Sequence, residues 1–136
     1  MSETAFITLR RLLAFCAVLE IGTGIALMIA PEMVAAMLVR GQITELATLL
    51  GRCMGIALLA LGLACWPQRQ VAQPGSAAFR AMFTYSALTA LFLGYVGAVA
   101  HLGGPLLWPA VGLHGAVALL FVWTRREKAR EKALAD

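Results

Sequence analysis

Charged side chains are scarce in this 136-residue chain: lysine, arginine, aspartate and glutamate together make up only 13% of it. Apolar residues make up 61%, and the mean hydropathy is +0.83. Soluble domains average about 25% charged and about 45–50% apolar residues. The scarcity of charge excludes an ordinary soluble domain, a disordered chain and, despite a net charge of +4, a nucleic-acid binder. The composition predicts an integral membrane protein.

The chain also lacks the residue clusters on which disulfide, metal and catalytic chemistry depend. Its three cysteines, Cys16, Cys53 and Cys65, form no Cys-x-x-Cys pair. A zinc site needs several His, Cys or carboxylate ligands, and no nucleophile–base pair or phosphate loop can be assembled from the polar residues present. A haem held by His101 and His114 is disfavoured because the two histidines lie at different depths. We therefore expect no enzyme, no metal site and no cofactor.

Four apolar runs are present, each close to the roughly 20 residues that a spanning helix needs. They cover residues 12–30, 46–66, 81–100 and 106–123, and prolines, glycines or charges bound them. Alternation of polar and apolar residues, which is typical of strands, is absent. The sequence predicts an all-α integral membrane four-helix bundle, with a single domain over residues 1–136 and a charged tail over 125–136.

Basic residues predict how the bundle is oriented. Nine of the eleven lie at or beyond the span ends that share a side with the termini: Arg10, Arg11, Arg69, Arg80, Arg125, Arg126, Lys128, Arg130 and Lys132. Because cytoplasmic loops are enriched in Lys and Arg, we predict a bacterial inner-membrane protein with both termini cytoplasmic. The spacing of Glu127 and Arg130 predicts that the fourth span continues as a charged helix. This tail is either an orientation anchor or a segment attracted to anionic lipid or to a partner.

The segment between the first two spans, PEMVAAMLVRG over residues 31–41, has its own helical pattern. Proline stands at its first turn and glycine at its end, and its apolar residues recur at helical spacing. This pattern predicts a short interfacial helix whose apolar stripe lies in the headgroup boundary. The alternative is a frayed extension of the first span.

Small residues recur along every predicted span. Such residues let helices approach closely in lipid, where no hydrophobic force drives helices together. They favour a compact bundle, and they equally permit a homodimer or a larger membrane complex. The regularly spaced sets are Gly22, Ala26 and Ala30, then Gly51, Gly55 and Gly62, then Ser86, Ala90, Gly94 and Gly97, and finally Gly112 and Ala116.

Four polar residues at membrane depth form the candidate site. At about 1.5 Å per residue, Glu20 is about 15 Å and His114 about 12 Å from the outer ends of their helices. Arg52 and Tyr95 are each about 9 Å deep. Charge at such depth costs roughly 2.5–3.5 kcal/mol even on mild scales, so these side chains need a partner or a function. The two interpretations are a structural Glu20–Arg52 ion pair with Tyr95 and His114 beside it, or a polar cavity that binds a ligand or passes a proton.

Several apolar and glycine-containing motifs follow one another through the spans. They are Arg10-Arg11-Leu12-Leu13, Glu20-Ile21-Gly22-Thr23-Gly24, Gly51-Arg52, Cys65-Trp66 and Gly104-Pro105-Leu106-Leu107-Trp108-Pro109. Their order, over nearly the whole chain, resembles small four-span bacterial inner-membrane proteins, including the group loosely called DoxX-like. The resemblance implies a bundle fold and little about activity. We expect a non-enzymatic accessory or interaction component of the membrane.

A second resemblance is local to Glu20-Ile21-Gly22-Thr23 in the first span. It is similar to the membrane-embedded glutamate of small multidrug resistance transporters, which exchange protons for cationic drugs as dimers. This chain departs from that family in having Arg52 at similar depth and no Trp-Gly pattern in its third span. The resemblance carries over Glu20 alone. Together with the polar residues at membrane depth it leaves an alternative function, small-ligand binding or proton-coupled transport, with Glu20, Arg52, Tyr95 and His114 as the candidate residues.

Overall fold

The fold is all-helical, as predicted, in a computed structural model that describes residues 3–68, 73 and 75–135. The orientation residue Arg69 and the final residue of the tail, Asp136, lie outside the described residues, as do the side chains of Lys128 and Lys132. The described part forms five helices: α1 (Glu3–Ile29), α2 (Pro31–Leu38), α3 (Glu45–Ala64), α4 (Ala77–Ala98) and α5 (Leu107–Ala135).

Four of these helices are long and apolar enough to cross a membrane, which confirms the predicted spans. The crossing segments are Ile7–Ile29, Glu45–Ala64, Ala77–Ala98 and Leu107–Glu127. Large apolar side chains face outward on them, as lipid favours: Leu91 is 70% and Leu119 71% exposed. The continuation of the fourth span as a helix is also confirmed, because α5 runs to Ala135. The chain is a multi-pass membrane protein.

Two spans begin at side-chain caps that the sequence provides. The backbone N–H of Ala47 donates to the Thr44 hydroxyl at 3.2 Å, and that of Phe79 donates to the Ser76 hydroxyl at 3.1 Å. Each cap satisfies one of the N–H groups that the first turn of a helix leaves without a partner. These caps fix where α3 and α4 start, at the ends of the connections that precede them.

The spans associate as two pairs, with α1 against α3 and α4 against α5, and fewer contacts join one pair to the other. In the first pair the backbones touch: a Cβ added to Gly24 would lie 2.7 Å from the Gly55 carbonyl oxygen. One on Gly62 would lie 2.8 Å from a carbonyl oxygen of α1. The predicted small-residue face of α3 is therefore confirmed. The predicted face of α1 is wrong, because Gly22 faces open space and Gly24 makes the contact instead.

The apolar core lies at the end of the bundle that holds both termini, hereafter the terminal end. There the rings of Phe79 and Phe121 meet edge to face, with centroids 5.0 Å apart. The core includes side chains from α1, α4 and α5 and the residue that caps α3, so it joins the two helix pairs. Its buried members are Leu9, Leu13, Cys16, Cys65, Ala78, Phe79, Met82, Val117 and Phe121.

The opposite end, hereafter the loop end, is closed by backbone hydrogen bonds between its two connections. The N–H of Arg40 donates to the Leu102 carbonyl at 2.7 Å, and that of Gly104 donates to the Leu38 carbonyl at 2.9 Å. Val39 and Gly103 form an isolated bridge between them. The predicted short helix is thus confirmed as α2, with a break in helical geometry at Ala30, and it is tied to the connection between α4 and α5.

Substitution of Gly24 by alanine tests the close packing of α1 on α3. The added Cβ would meet the backbone of Gly55, which cannot move aside without separating the helices. We expect Gly24→Ala to lower the free energy of unfolding in detergent by about 1–3 kcal/mol. The matched control is Gly22→Ala, where nothing lies within 4 Å of the added atom, and its stability should equal or exceed that of wild type. Equal stabilities of the two variants would contradict the assignment.

Candidate functional site

Glu20 lies on the buried face of α1. Leu13, Cys16 and Gly24 are buried at helical spacing around it, and at about 100° per residue these positions fall on one face. The Glu20 side chain is only 5% exposed. It lies nine residues before the end of α1 at Ile29, about 14 Å along the helix axis. The carboxyl group therefore faces protein, deep within the span.

Two hydroxyl groups of α4, those of Tyr85 and Thr89, lie in a row next to the Glu20 carboxyl. The Tyr85 hydroxyl lies close enough to that carboxyl to act as a hydrogen-bond donor toward it. The Thr89 hydroxyl, one helical turn further along α4, lies near enough to interact with the Tyr85 hydroxyl. The chain of hydroxyl groups crosses from the first helix pair to the second.

His114 of α5 completes the group on the far side of Tyr85. The two rings meet edge to face, with centroids 5.5 Å apart and planes at 83°. His114 is half-buried and lies seven residues after Leu107, about 10 Å along α5. Glu20, Tyr85 and His114, hereafter the intramembrane cluster, thus link α1, α4 and α5 at membrane depth.

Thiols and a hydroxyl group surround the cluster toward the terminal end. Cys16 lies one turn before Glu20 on the same face of α1, and the Cys65 thiol donates to the Ala78 carbonyl with a sulfur–oxygen distance of 3.7 Å. Both thiols lie close enough to Glu20 to interact with it electrostatically. Ser86, beside Tyr85 on α4, is only 1% exposed. Below these groups the apolar core begins, so the cluster is enclosed on that side.

The structure does not bring Arg52 or Tyr95 to the cluster, and the predicted Glu20–Arg52 ion pair is not formed among the described residues. Arg52 is exposed on α3, about 60° around the helix from the buried Gly55. Tyr95 is 58% exposed. It follows Ser86 by nine residues, which at about 100° per residue is half a turn and therefore the opposite face of α4. Of the four predicted residues, Glu20 and His114 meet at the site.

Tyr85 and Thr89 are the site residues that sequence reasoning missed. Their position around the helix could have identified them. Tyr85 adjoins Ser86, which belongs to the small-residue face of α4, and Thr89 lies one turn beyond Tyr85. Tyr95 was predicted because its depth along the span matches that of the other candidates. Depth alone does not show which side of the helix a residue occupies. The side that a residue occupies is given by its angular position about the helix axis, at 3.6 residues per turn.

The polar side chains that the structure places against Glu20 are neutral. Tyr85 contacts its carboxyl directly, and the other nearby groups are the thiols of Cys16 and Cys65. Within the described residues, no group of three His, Cys, Asp or Glu side chains converges as metal ligands would. A carboxyl group in such surroundings can hold a proton or pair with a cation that enters the membrane. His114 supplies a second protonatable group in the cluster.

Comparisons of the chain with protein-family models, with curated proteins and with solved structures found no match. The resemblance to DoxX-like proteins and the local resemblance to drug transporters therefore stay predictions. Function has to be inferred from the geometry of the intramembrane cluster and from the distribution of charge.

Proposed function

We propose that this protein is a non-enzymatic membrane protein whose Glu20 carboxyl binds a proton and exchanges it for a small organic cation. The observation that carries the proposal is the burial of Glu20, 5% exposed, against neutral partners. A residue that only locked helices together by an ion pair would have a cation beside it. Here the cationic partner expected from the sequence, Arg52, is exposed on α3 and does not reach Glu20.

The energetics of charge at membrane depth support this exchange. An ionised carboxylate without a cation costs several kcal/mol in a medium that cannot hydrate it. The carboxyl group is therefore stable in two states, protonated or paired with a bound cation, and each excludes the other. Tyr85 can donate to the carboxyl group in either state, and the proton that the carboxyl releases leaves the site as the cation binds.

We also propose that the terminal end faces the cytoplasm of a bacterial inner membrane. Arg10, Arg11, Arg80, Arg125 and Arg126 lie at this end, close to the limits of the apolar spans. The loop end carries Arg40 against Glu32 and Glu45. The excess of arginine at the terminal end supports this orientation through the positive-inside rule.

Proton-coupled uptake in proteoliposomes tests the exchange. With an imposed pH gradient and tetraphenylphosphonium as the probe cation, we expect the wild type to accumulate the probe and Glu20→Gln to lose that activity. Tyr85→Phe, which keeps the ring and removes the donor, should retain only part of it. Flux is followed with a tetraphenylphosphonium-selective electrode, and size-exclusion profiles establish that each variant is folded.

The matched control is Glu32→Gln, because Glu32 is a carboxylate exposed at the loop end, where it accepts a hydrogen bond from Thr48 at 3.1 Å. This variant should accumulate the probe as the wild type does. Equal uptake by wild type and folded Glu20→Gln would sink the proposed exchange, as would wild-type uptake that is independent of the pH gradient.

Arg52 favours a second candidate function, that of an accessory component in a membrane assembly. Its side chain is exposed seven residues into α3, about 10 Å along the helix from Glu45. Gly112 and Ala116, predicted to pack within the bundle, are likewise exposed on α5. A neighbouring subunit that covered α3 would supply Arg52 with an acceptor that lipid does not provide.

Photocrosslinking from Cys53 tests this second function, because Cys53 is exposed beside Arg52 while Cys16 and Cys65 are buried. With benzophenone maleimide on Cys53 in native membranes, we expect a discrete protein adduct. Arg52→Gln should reduce the adduct, while Arg40→Gln at the loop end should leave it unchanged. Labelling of lipid alone in the wild type would show that Arg52 instead extends to the headgroups, and would rule out a subunit over α3.

A further inference from the structure

Two open grooves at the terminal end combine a pair of adjacent arginines with an apolar wall. The first lies between α1 and the segment that follows α3 and has a volume of about 400 Å³. Arg10 and Arg11 line it together with Ile7, Ala14 and Trp66. The indole of Trp66 is 48% exposed, so an aromatic surface is open to whatever enters the groove.

The second groove lies between α4 and α5 and has a volume of about 320 Å³. Arg125 and Arg126 line it, and its apolar wall includes Phe83 and Val122. The same combination of chemistry therefore occurs twice, on different helices but at the same end of the bundle. Neither groove includes a residue of the intramembrane cluster.

The arginine pairs lie at the depth of lipid headgroups. The crossing segment of α1 begins at Ile7, three residues before Arg10, and that of α5 ends at Glu127, one residue after Arg126. All four guanidinium groups belong to exposed residues, and none forms an ion pair with a carboxylate whose side chain is described. Each pair thus places a charge of +2, with no ion-paired carboxylate among the described side chains, at the boundary between apolar and polar regions.

We propose that each groove binds one anionic phospholipid from the leaflet at the terminal end. The lipid phosphate accepts hydrogen bonds from the two adjacent guanidinium groups, and an acyl chain lies along the apolar wall toward the membrane interior. Arginine suits this role because its planar group of donors matches phosphate oxygens in pairs. Basic pockets at the ends of spanning helices are typical places for anionic headgroups.

The apolar walls distinguish a lipid from a soluble phosphate. A free phosphate or glycerol phosphate would satisfy the arginines but would leave Trp66 in the first groove and Phe83 in the second uncovered. A phospholipid matches both parts of the groove, charge at the headgroup and apolar surface below it. A zwitterionic lipid fits less well, because its own cation lies beside the phosphate and opposes the arginine pair.

Native mass spectrometry of the purified full chain tests the proposal with phosphatidylglycerol and phosphatidylcholine as probes. We expect the wild type to retain up to two phosphatidylglycerol molecules and to release phosphatidylcholine. The Arg10→Gln/Arg11→Gln double variant should keep one site and lose the other, and so should Arg125→Gln/Arg126→Gln. At each altered site the apparent affinity should fall by roughly 10- to 30-fold, the loss expected for two basic residues at the surface.

The control is Arg80→Gln/Arg130→Gln, which removes two exposed arginines of the same end that line neither groove. It should retain both lipids, which separates groove binding from attraction to net charge. Phe83→Ala keeps every arginine and should weaken only the second site. Equal retention of the two lipid types, an equal loss in the control, or displacement of phosphatidylglycerol by glycerol 3-phosphate would overturn the proposal.

Discussion

The contact between the Glu20 carboxyl and the Tyr85 hydroxyl joins the two halves of this bundle at membrane depth. Lipid offers no water to either group, so each is stabilised by a polar neighbour within the bundle. The contact fits the rotation of both helices, because Glu20 lies on the buried face of α1 and Tyr85 is half-buried on α4. His114 is then positioned by its ring contact with Tyr85. Tyr85 is thus the neighbour that Glu20 and His114 share.

The intramembrane cluster lies between two regions of the bundle that are packed differently. Gly24 and Gly55 bring α1 and α3 into backbone contact, so the first helix pair has little room to rearrange. The apolar core holds the two pairs together only at the terminal end. Toward the loop end fewer side chains are buried, and backbone hydrogen bonds between Arg40 and Leu102 and between Gly104 and Leu38 close the bundle.

Composition and periodicity were sufficient to predict the helices. The four spans follow from apolar length, and α2 follows from Pro31 and the helical spacing of the residues after it. Glu20 and His114 could be predicted as site residues because polar groups at membrane depth are rare. Arg52, equally rare, was misplaced because its depth along the span does not show which side of α3 it occupies. Tyr85 was missed because contact between side chains of two helices depends on how each helix is rotated about its axis. The depth of a residue along its span does not give that rotation.

A double-mutant cycle on the free energy of unfolding in detergent tests the central contact most directly. Its corners are the wild type, Glu20→Gln, Tyr85→Phe and the double variant, with a second cycle in which Arg52→Gln replaces Tyr85→Phe. The structure predicts a coupling of about 1 kcal/mol between Glu20 and Tyr85 and none between Glu20 and Arg52. Additive effects in the Tyr85 cycle, or coupling in the Arg52 cycle, would contradict the arrangement of α1 and α4 described above.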